Sequence, residues 1–145
     1  MINNKLFGAV NDSTLPPENP DKHGFLERYA PVLLNQKKVQ QILNMYAKGE
    51  RTFHRLDLRG VTLENLDLTG IDLSGANLTN ATLINVNLTC AKLIEVQLVN
   101  AELVNVELDR ANLSWTNLRG ATLIHTPLTK ATLRNTVLPS GEVSN

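Results

Sequence analysis

A large apolar side chain stands at every fifth residue from Phe53 to Leu138. Phe53 is followed by Leu58, Leu63 and so on to Leu138, seventeen leucines without a slip of phase. A repeat this strict decides the fold, because each unit can bury its apolar face only against its neighbours. A straight α-helix advances about 100° per residue, so residues five apart lie about 140° apart and the leucines would wind around the axis. A straight strand alternates faces with period two, and five is odd, so successive leucines would point to opposite sides. The chain must therefore turn once per repeat, always in the same sense, and coil around its leucines. That architecture is an all-β solenoid whose coils stack ~4.8 Å apart through backbone hydrogen bonds.

With the repeated leucine as position i, position i−2 is small or β-branched from Val61 to Thr136, apart from Leu66, so it also points inward. From Ala81 to Thr136, Ala alternates at i−2 with Val or Thr, a period of ten. A four-sided coil of twenty residues stacks Ala on Ala and Val or Thr on Val or Thr. A three-sided coil of fifteen would stack Ala on a β-branched residue at every step. Like-on-like stacking in a close-packed core selects four sides. A leucine-rich repeat of period twenty would place its four leucines in unlike contexts, whereas here all four subsites read alike. The outward positions i−1, i+1 and i+2 carry Asp, Asn, Thr, Gly and charged residues, with Asn and Gly at i+2 suited to a turn.

Ala76-Asn77-Leu78 and Ala111-Asn112-Leu113, with Leu56-Asp57-Leu58, Leu66-Asp67-Leu68, Ile71-Asp72-Leu73 and Val86-Asn87-Leu88 as partial matches, resemble the Ala-(Asp/Asn)-Leu-x-x motif of the pentapeptide repeat family. The resemblance implies a right-handed quadrilateral β-helix of about 4.5 coils over residues 51–140, capped by a short N-terminal α-helix. Residues 39–53 are similar to the helical lead-in of short bacterial, especially cyanobacterial, members.

Ahead of the repeats, residues 1–22 read as a flexible arm, with Pro16, Pro17 and Pro20 among polar residues. Residues 23–50 read as a helical cap: a turn over 24–30 ended by Pro31, then a helix capped by Asn35. Val39, Ile42, Leu43 and Tyr46 form that helix's apolar stripe, and Lys48-Gly49 its stop. The stripe is placed to cover the open first coil. No comparable cap is evident in the tail, 141–145, so the C-terminal end reads as open and a site for self-association.

Fourteen basic and fourteen acidic residues balance, and 51–140 carry eight of each, so no global field favours nucleic acid or an anionic membrane. No apolar run reaches the ~18 residues needed to span a bilayer, and the one cysteine, Cys90, excludes an internal disulfide. The expected location is the cytoplasm. His23, His54 and His125 are too scattered for a metal or acid–base pair, and the carboxylates at i−1 belong to the repeat. No phosphate loop, nucleophile elbow or zinc spacing occurs, so no enzyme, metal, cofactor or small-molecule substrate is expected.

The expected function is a non-enzymatic protein-interaction scaffold, binding a partner protein or a second copy. The candidate contact residues are apolar ones at outward positions. Ile84, Val104 and Ile124 should stack in file ~4.8 Å apart behind Glu64, beside a file of Asn65, Asn85 and Asn105. Ile94 and Val99 lie on other walls, and Trp115 projects from a corner as a secondary anchor. The alternative is the DNA mimicry of gyrase-binding family members, which the balanced charge disfavours: mimicry needs carboxylate rows with few compensating bases.

Overall fold

The computed structural model describes residues 22–145, with helix α1 from Lys22 to Ala47 followed by a coil of parallel bridges. Every inter-coil bridge joins residues twenty apart: Thr52–Asp72–Lys92–Asn112–Thr132 on one wall and Asp57–Asn77–Gln97–Asn117–Val137 on the next. Four sides of five residues make each coil, as the Ala/Val alternation requires. We name the walls by their core residues: A holds Phe53, Leu73, Leu93, Leu113 and Leu133. B begins at Leu58, C at Leu63 and D at Leu68. Wall C carries the regular strands β1 (Thr62–Asp67), β2 (Thr82–Asn87), β3 (Glu102–Val104) and β4 (Thr122–Ile124), a parallel sheet in the order β1-β2-β3-β4. The coil repeats its hydrogen bonds faithfully: Leu93 N donates to Asn112 O at 2.8 Å, and Asn112 N to Ala91 O at 2.9 Å.

Both inward positions are buried as the repeat predicts. From Leu73 to Leu118 no residue at i or i−2 exceeds 2% exposure, a continuous core in which each leucine contributes ~1.5–3 kcal/mol of burial. Thr116, Thr126 and Thr136 replace Val at i−2 deep in that core. Each donates its hydroxyl one coil down, to the carbonyls of Leu93, Leu103 (3.2 Å) and Leu113 (2.7 Å) respectively. No buried side-chain polar atom among the described residues lacks a partner. An unpaired buried hydroxyl would cost ~1–3 kcal/mol.

The outward positions explain the rest of the motif. At i+2, every residue except Lys130 and Ser140 has positive φ, from Arg55 to Asn135. That left-handed corner is where Gly and Asn are tolerated. At i−1, Asp or Asn accepts the i+1 amide, as from Thr79 N to Asn77 Oδ1 at 3.0 Å and Ser114 N to Asn112 Oδ1 at 3.0 Å. A short acceptor side chain at i−1 thus closes each corner.

Two expectations about the ends are corrected. Helix α1 runs unbroken through Pro31 rather than starting at Asn35. Proline removes a single helical hydrogen bond, and helix formers surround it (Leu26, Glu27, Arg28, Ala30, Leu33, Leu34), so the helix absorbs the break. Asn35, inside the helix, donates instead to Arg59 O at 3.2 Å; Lys38 reaches Asp57 O at 3.2 Å and Tyr46 reaches Thr69 O at 2.8 Å. These bonds lay α1 across the first coil from wall B to wall D, with Val39, Ile42, Leu43 and Tyr46 against the core. The stop at Lys48-Gly49 is as predicted. Gly49 N donates to Tyr46 O and Glu50 N to Met45 O, both at 3.0 Å, around the positive φ of Gly49. The arm predicted over residues 1–22 lies outside the described residues, save Lys22.

The tail is not open-ended as expected. Val143 falls in phase with the repeated leucines, but the chain reverses at Gly141 (φ 92) and Val143 pairs antiparallel with Val137. Leu138 N donates to Glu142 O at 2.7 Å, Ser144 N to Thr136 O at 2.9 Å and Asn135 N to Ser144 O at 2.9 Å. Residues 141–145 thus cover part of the last half-coil, on walls A and B. This reversal is not legible in the residues, because a glycine at i−2 also fits the pattern of small residues there.

Candidate protein-binding face

Wall C is built by its strand register. Glu64 pairs with Ile84, Ile84 with Val104 and Val104 with Ile124, so the apolar side chains form one file up the outside of the sheet. Ile84 and Val104 are half-buried by their neighbours, and Ile124 at the top of the file is 41% exposed. Beside them runs the i−1 file, Thr62, Thr82, Glu102 and Thr122. The predicted asparagine ladder forms: Asn85 Nδ2 donates to Asn65 Oδ1 at 2.9 Å, and Asn105 Nδ2 to Asn85 Oδ1 at 3.0 Å. All three asparagines hold positive φ, which fixes their amides in line and stiffens the C–D corner.

The remaining candidates do not join this face. Ile94 stacks between Ser74 and Ser114 on wall A, and Val99 between Thr79 and Arg119 on wall B, each alone among polar residues. Trp115 is 58% exposed with φ 64 at the A–B corner, one coil above Glu95. That corner is across the coil from the Ile84–Val104–Ile124 file, so Trp115 can serve only a separate contact.

One feature of the face was missed from the linear sequence. Written in rows of twenty, the charges sort by side. Walls A and B and their shared corner hold Arg51, Arg55, Arg59, Lys92, Arg119 and Arg134 against Asp57, Asp72 and Glu95. Wall C has Glu64 and Glu102 and no Lys or Arg, and Asp67 and Glu107 follow around the C–D corner. The acids of walls A and B are largely committed: Asp57 to Arg59 at 2.8 Å, and Asp72 to His54 at 3.0 Å and Lys92 at 3.8 Å. Asp109 on wall D meets Lys130 at 2.7 Å. Among the described residues, Glu64, Glu102 and Glu107 have no ion-pair partner.

Three acidic groups with displaced titration, Asp57, Asp67 and Asp72, close corners. A hydrogen bond from the Arg59 guanidinium, then one from its amide, hold the Asp57 carboxyl well below the usual range. The Thr69 hydroxyl and amide lower Asp67. Partial burial pushes Asp72 up, but hydrogen bonds from the Ser74 hydroxyl, His54 and the Ser74 amide outweigh it and hold the group at about 2. These carboxylates serve the backbone. Cys90 is exposed at a corner of positive φ, outside the core as predicted.

Eight copies of the pentapeptide repeat are matched, within residues 57–93, 86–123 and 97–135, ranges that together span more than half of the chain. The chain belongs to the pentapeptide repeat family. Its coil is the family's right-handed quadrilateral β-helix. A pentapeptide repeat protein of the Arabidopsis thaliana thylakoid lumen is 25% identical with a TM-score of 0.54, over 57% of this chain and 58% of its own. HetL, a pentapeptide repeat protein involved in heterocyst differentiation regulation in the cyanobacterium Nostoc sp. strain PCC 7120, is 29% identical with a TM-score of 0.44. That match covers 64% of this pentapeptide repeat protein and 49% of HetL, so the chain spans about half of HetL's length. A third, from the cyanobacterium Cyanothece 51142, is 31% identical with a TM-score of 0.32, over 65% of this chain and 64% of its own. No curated protein matches the sequence.

Proposed function

We propose that this pentapeptide repeat protein is a non-enzymatic interaction scaffold that holds a protein partner on wall C. The observation that carries the reading is the in-register file of Ile84, Val104 and Ile124 on the outside of a rigid sheet. Strand propensity alone asks for β-branched residues at i+1, and Thr satisfies it at Thr69, Thr79, Thr89 and Thr129 without exposing apolar area. An apolar file in place of Thr adds a dehydratable surface, and the asparagine ladder beside it supplies a polar rim. Contacts of this kind concentrate binding energy in a few central apolar side chains. Trp115 offers a second, independent contact on the opposite side.

The test is the triple change Ile84→Thr, Val104→Thr and Ile124→Thr, which keeps strand propensity and removes apolar area. Immobilised wild type and variant are used to capture protein from the native cell, with Trp115→Ala as a second arm. Loss of a captured protein by the triple variant supports the wall C reading. Equal capture by wild type and triple variant, with both equally stable, overturns it.

A further inference from the structure

We infer that residues 5–10, in the arm ahead of α1, pair with the edge of β1 in their own chain as one more rung of wall C. This goes beyond the reading of wall C as a contact face and does not depend on it. Four corners of the coil have glycine at i+2, Gly60, Gly70, Gly75 and Gly120, with φ between 65 and 72. Each stands in the string Leu-x-Gly followed by Val, Ile or Ala, the last in Leu73-Ser74-Gly75-Ala76 and Leu118-Arg119-Gly120-Ala121. Leu6-Phe7-Gly8-Ala9 is the same string, and no other glycine of the chain has Leu two residues before it. Laid on β1 in the phase of the coil, Leu6 falls at i, below Leu63. Gly8 then falls at the left-handed i+2 corner below Asn65, and Ala9 at the inward i−2 position.

The first coil presents the matching edge. Helix α1 stands in for a preceding coil on two walls: Asn35 and Lys38 take the Arg59 and Asp57 carbonyls of wall B, and Tyr46 takes the Thr69 carbonyl of wall D. On wall C, β1 is the edge of its sheet, a template for strand addition. On the next rungs Thr82 N donates to Val61 O and Glu102 N to Ala81 O, both at 2.9 Å, whereas among the described residues Thr62 N and Thr62 O have no such partner. The added rung supplies both. Leu6 N donates to Thr62 O and Thr62 N to Asn4 O, as Leu93 N does to Asn112 O and Asn112 N to Ala91 O. Between α1 and the first coil lies an apolar hollow of about 290 Å³, partly open to solvent, with Val39, Ile42, Leu43, Leu63 and Leu68 in its lining. Leu63 and Leu66 are each 6% exposed, against 1–2% for Leu83, Val86, Leu103 and Val106 on the rungs above. In the pairing Leu6 points into that hollow against Leu63, and Ala9 adds only a methyl group beside α1. Lys5 stands diagonally across from Glu64, which has no ion-pair partner among the described residues. The twelve peptide steps from Val10 to Lys22 span up to ~40 Å. Helix α1 from Lys22 to Asn35 is ~20 Å long and β1 ~16 Å, so the arm reaches β1 of its own chain.

Amide hydrogen exchange in the full ¹⁵N-labelled chain tests this at Thr62, with the Leu103 amide as the control for an intact coil. Leu6→Asp removes the inward side chain, Gly8→Val blocks the left-handed corner, and Gly8→Asn permits it, as Asn65, Asn85 and Asn105 do. The Thr62 amide is expected to exchange at least ~10-fold more slowly in wild type and Gly8→Asn than in Leu6→Asp and Gly8→Val, with Leu103 unchanged in all four. A second experiment combines Phe7→Cys with Glu64→Cys in a Cys90→Ser background. Neighbouring rungs lie ~4.8 Å apart, within the Cα separation of ~4.4–6.8 Å that a disulfide spans. Mild oxidation at micromolar concentration is expected to link the pair within one chain, at least ~10-fold faster than Phe7→Cys with Thr79→Cys on wall B. Equal Thr62 exchange in wild type and Leu6→Asp, protection that survives Gly8→Val or is lost in Gly8→Asn, or equally fast linkage to wall B overturns the proposal. Linkage found only as covalent dimers overturns the assignment to the chain's own arm.

Discussion

Replacing Leu103 by Ala removes an isopropyl group from a rung that cannot close around the gap. Leu103 is 1% exposed on wall C, stacked between Leu83 and Leu123 by strand register. The cost of a large-to-small change depends on how far the surroundings relax, and Leu→Ala spans ~2–5 kcal/mol on that account. Here the rungs above and below are fixed at ~4.8 Å by backbone hydrogen bonds, so the cavity persists and the cost falls in the upper half, about 3.5–5 kcal/mol. Leu133, in the last half-coil, is half-buried and borders the tail, so Leu133→Ala should cost about half as much. Urea unfolding followed by circular dichroism measures both, with the slope m checked for a loss of cooperativity between coils. Equal costs for Leu103→Ala and Leu133→Ala, or a Leu103→Ala cost under about 1.5 kcal/mol, would refute the rigid-rung argument.

Ala101 is 1% exposed between Ala81 and Ala121, so Ala101→Leu should destabilise by about 1–3 kcal/mol through overpacking; an unchanged melting temperature would place i−2 outside the core. Gly60→Ala and Gly120→Ala both put a Cβ on a left-handed corner, at about 1 kcal/mol each. At Gly120 that Cβ also collides with the Asn100 side chain, so thermal melting should rank Gly120→Ala as the more damaging, and equal shifts would contradict the packing. Asp72 has a folded pKa of about 2, below the unfolded value of about 3.9, so its stabilisation is present above about pH 4 and lost as pH falls through about 2. Asn keeps the corner bonds, as Asn112 does for Ser114, so Asp72→Asn should be less stable than wild type near neutrality and the gap should shrink over that window. A gap that does not change with pH would remove the carboxylate's role.

The coil was legible because its determinants are local and repeated. Phase five fixes the inward leucines, the Ala/Val alternation fixes the side count, and Asn and Gly at i+2 suit a corner that nearly every repeat makes with positive φ. The wall C file and the asparagine ladder followed from adding twenty to a residue number. The ends were not legible, because nothing there repeats. Pro31 suggested a break that the helix absorbs, Asn35 resembled a cap but serves as a tether, and Val143 kept the phase while its chain turned back. The separation of Trp115 from the file, and the sorting of acids from bases, depend on side-by-side placement across coils. A linear reading of net charge averages both away.

The most direct test of the contact face observes its side chains. Wild type labelled at isoleucine and valine methyl groups is mixed with the protein it captures from the native cell, and methyl spectra are compared with and without it. Ile84, Val104 and Ile124 are expected to shift or broaden together while Ile94 and Val99, on walls A and B, stay in place. Shifts at Ile94 and Val99 with the wall C methyls unmoved would contradict the wall C assignment.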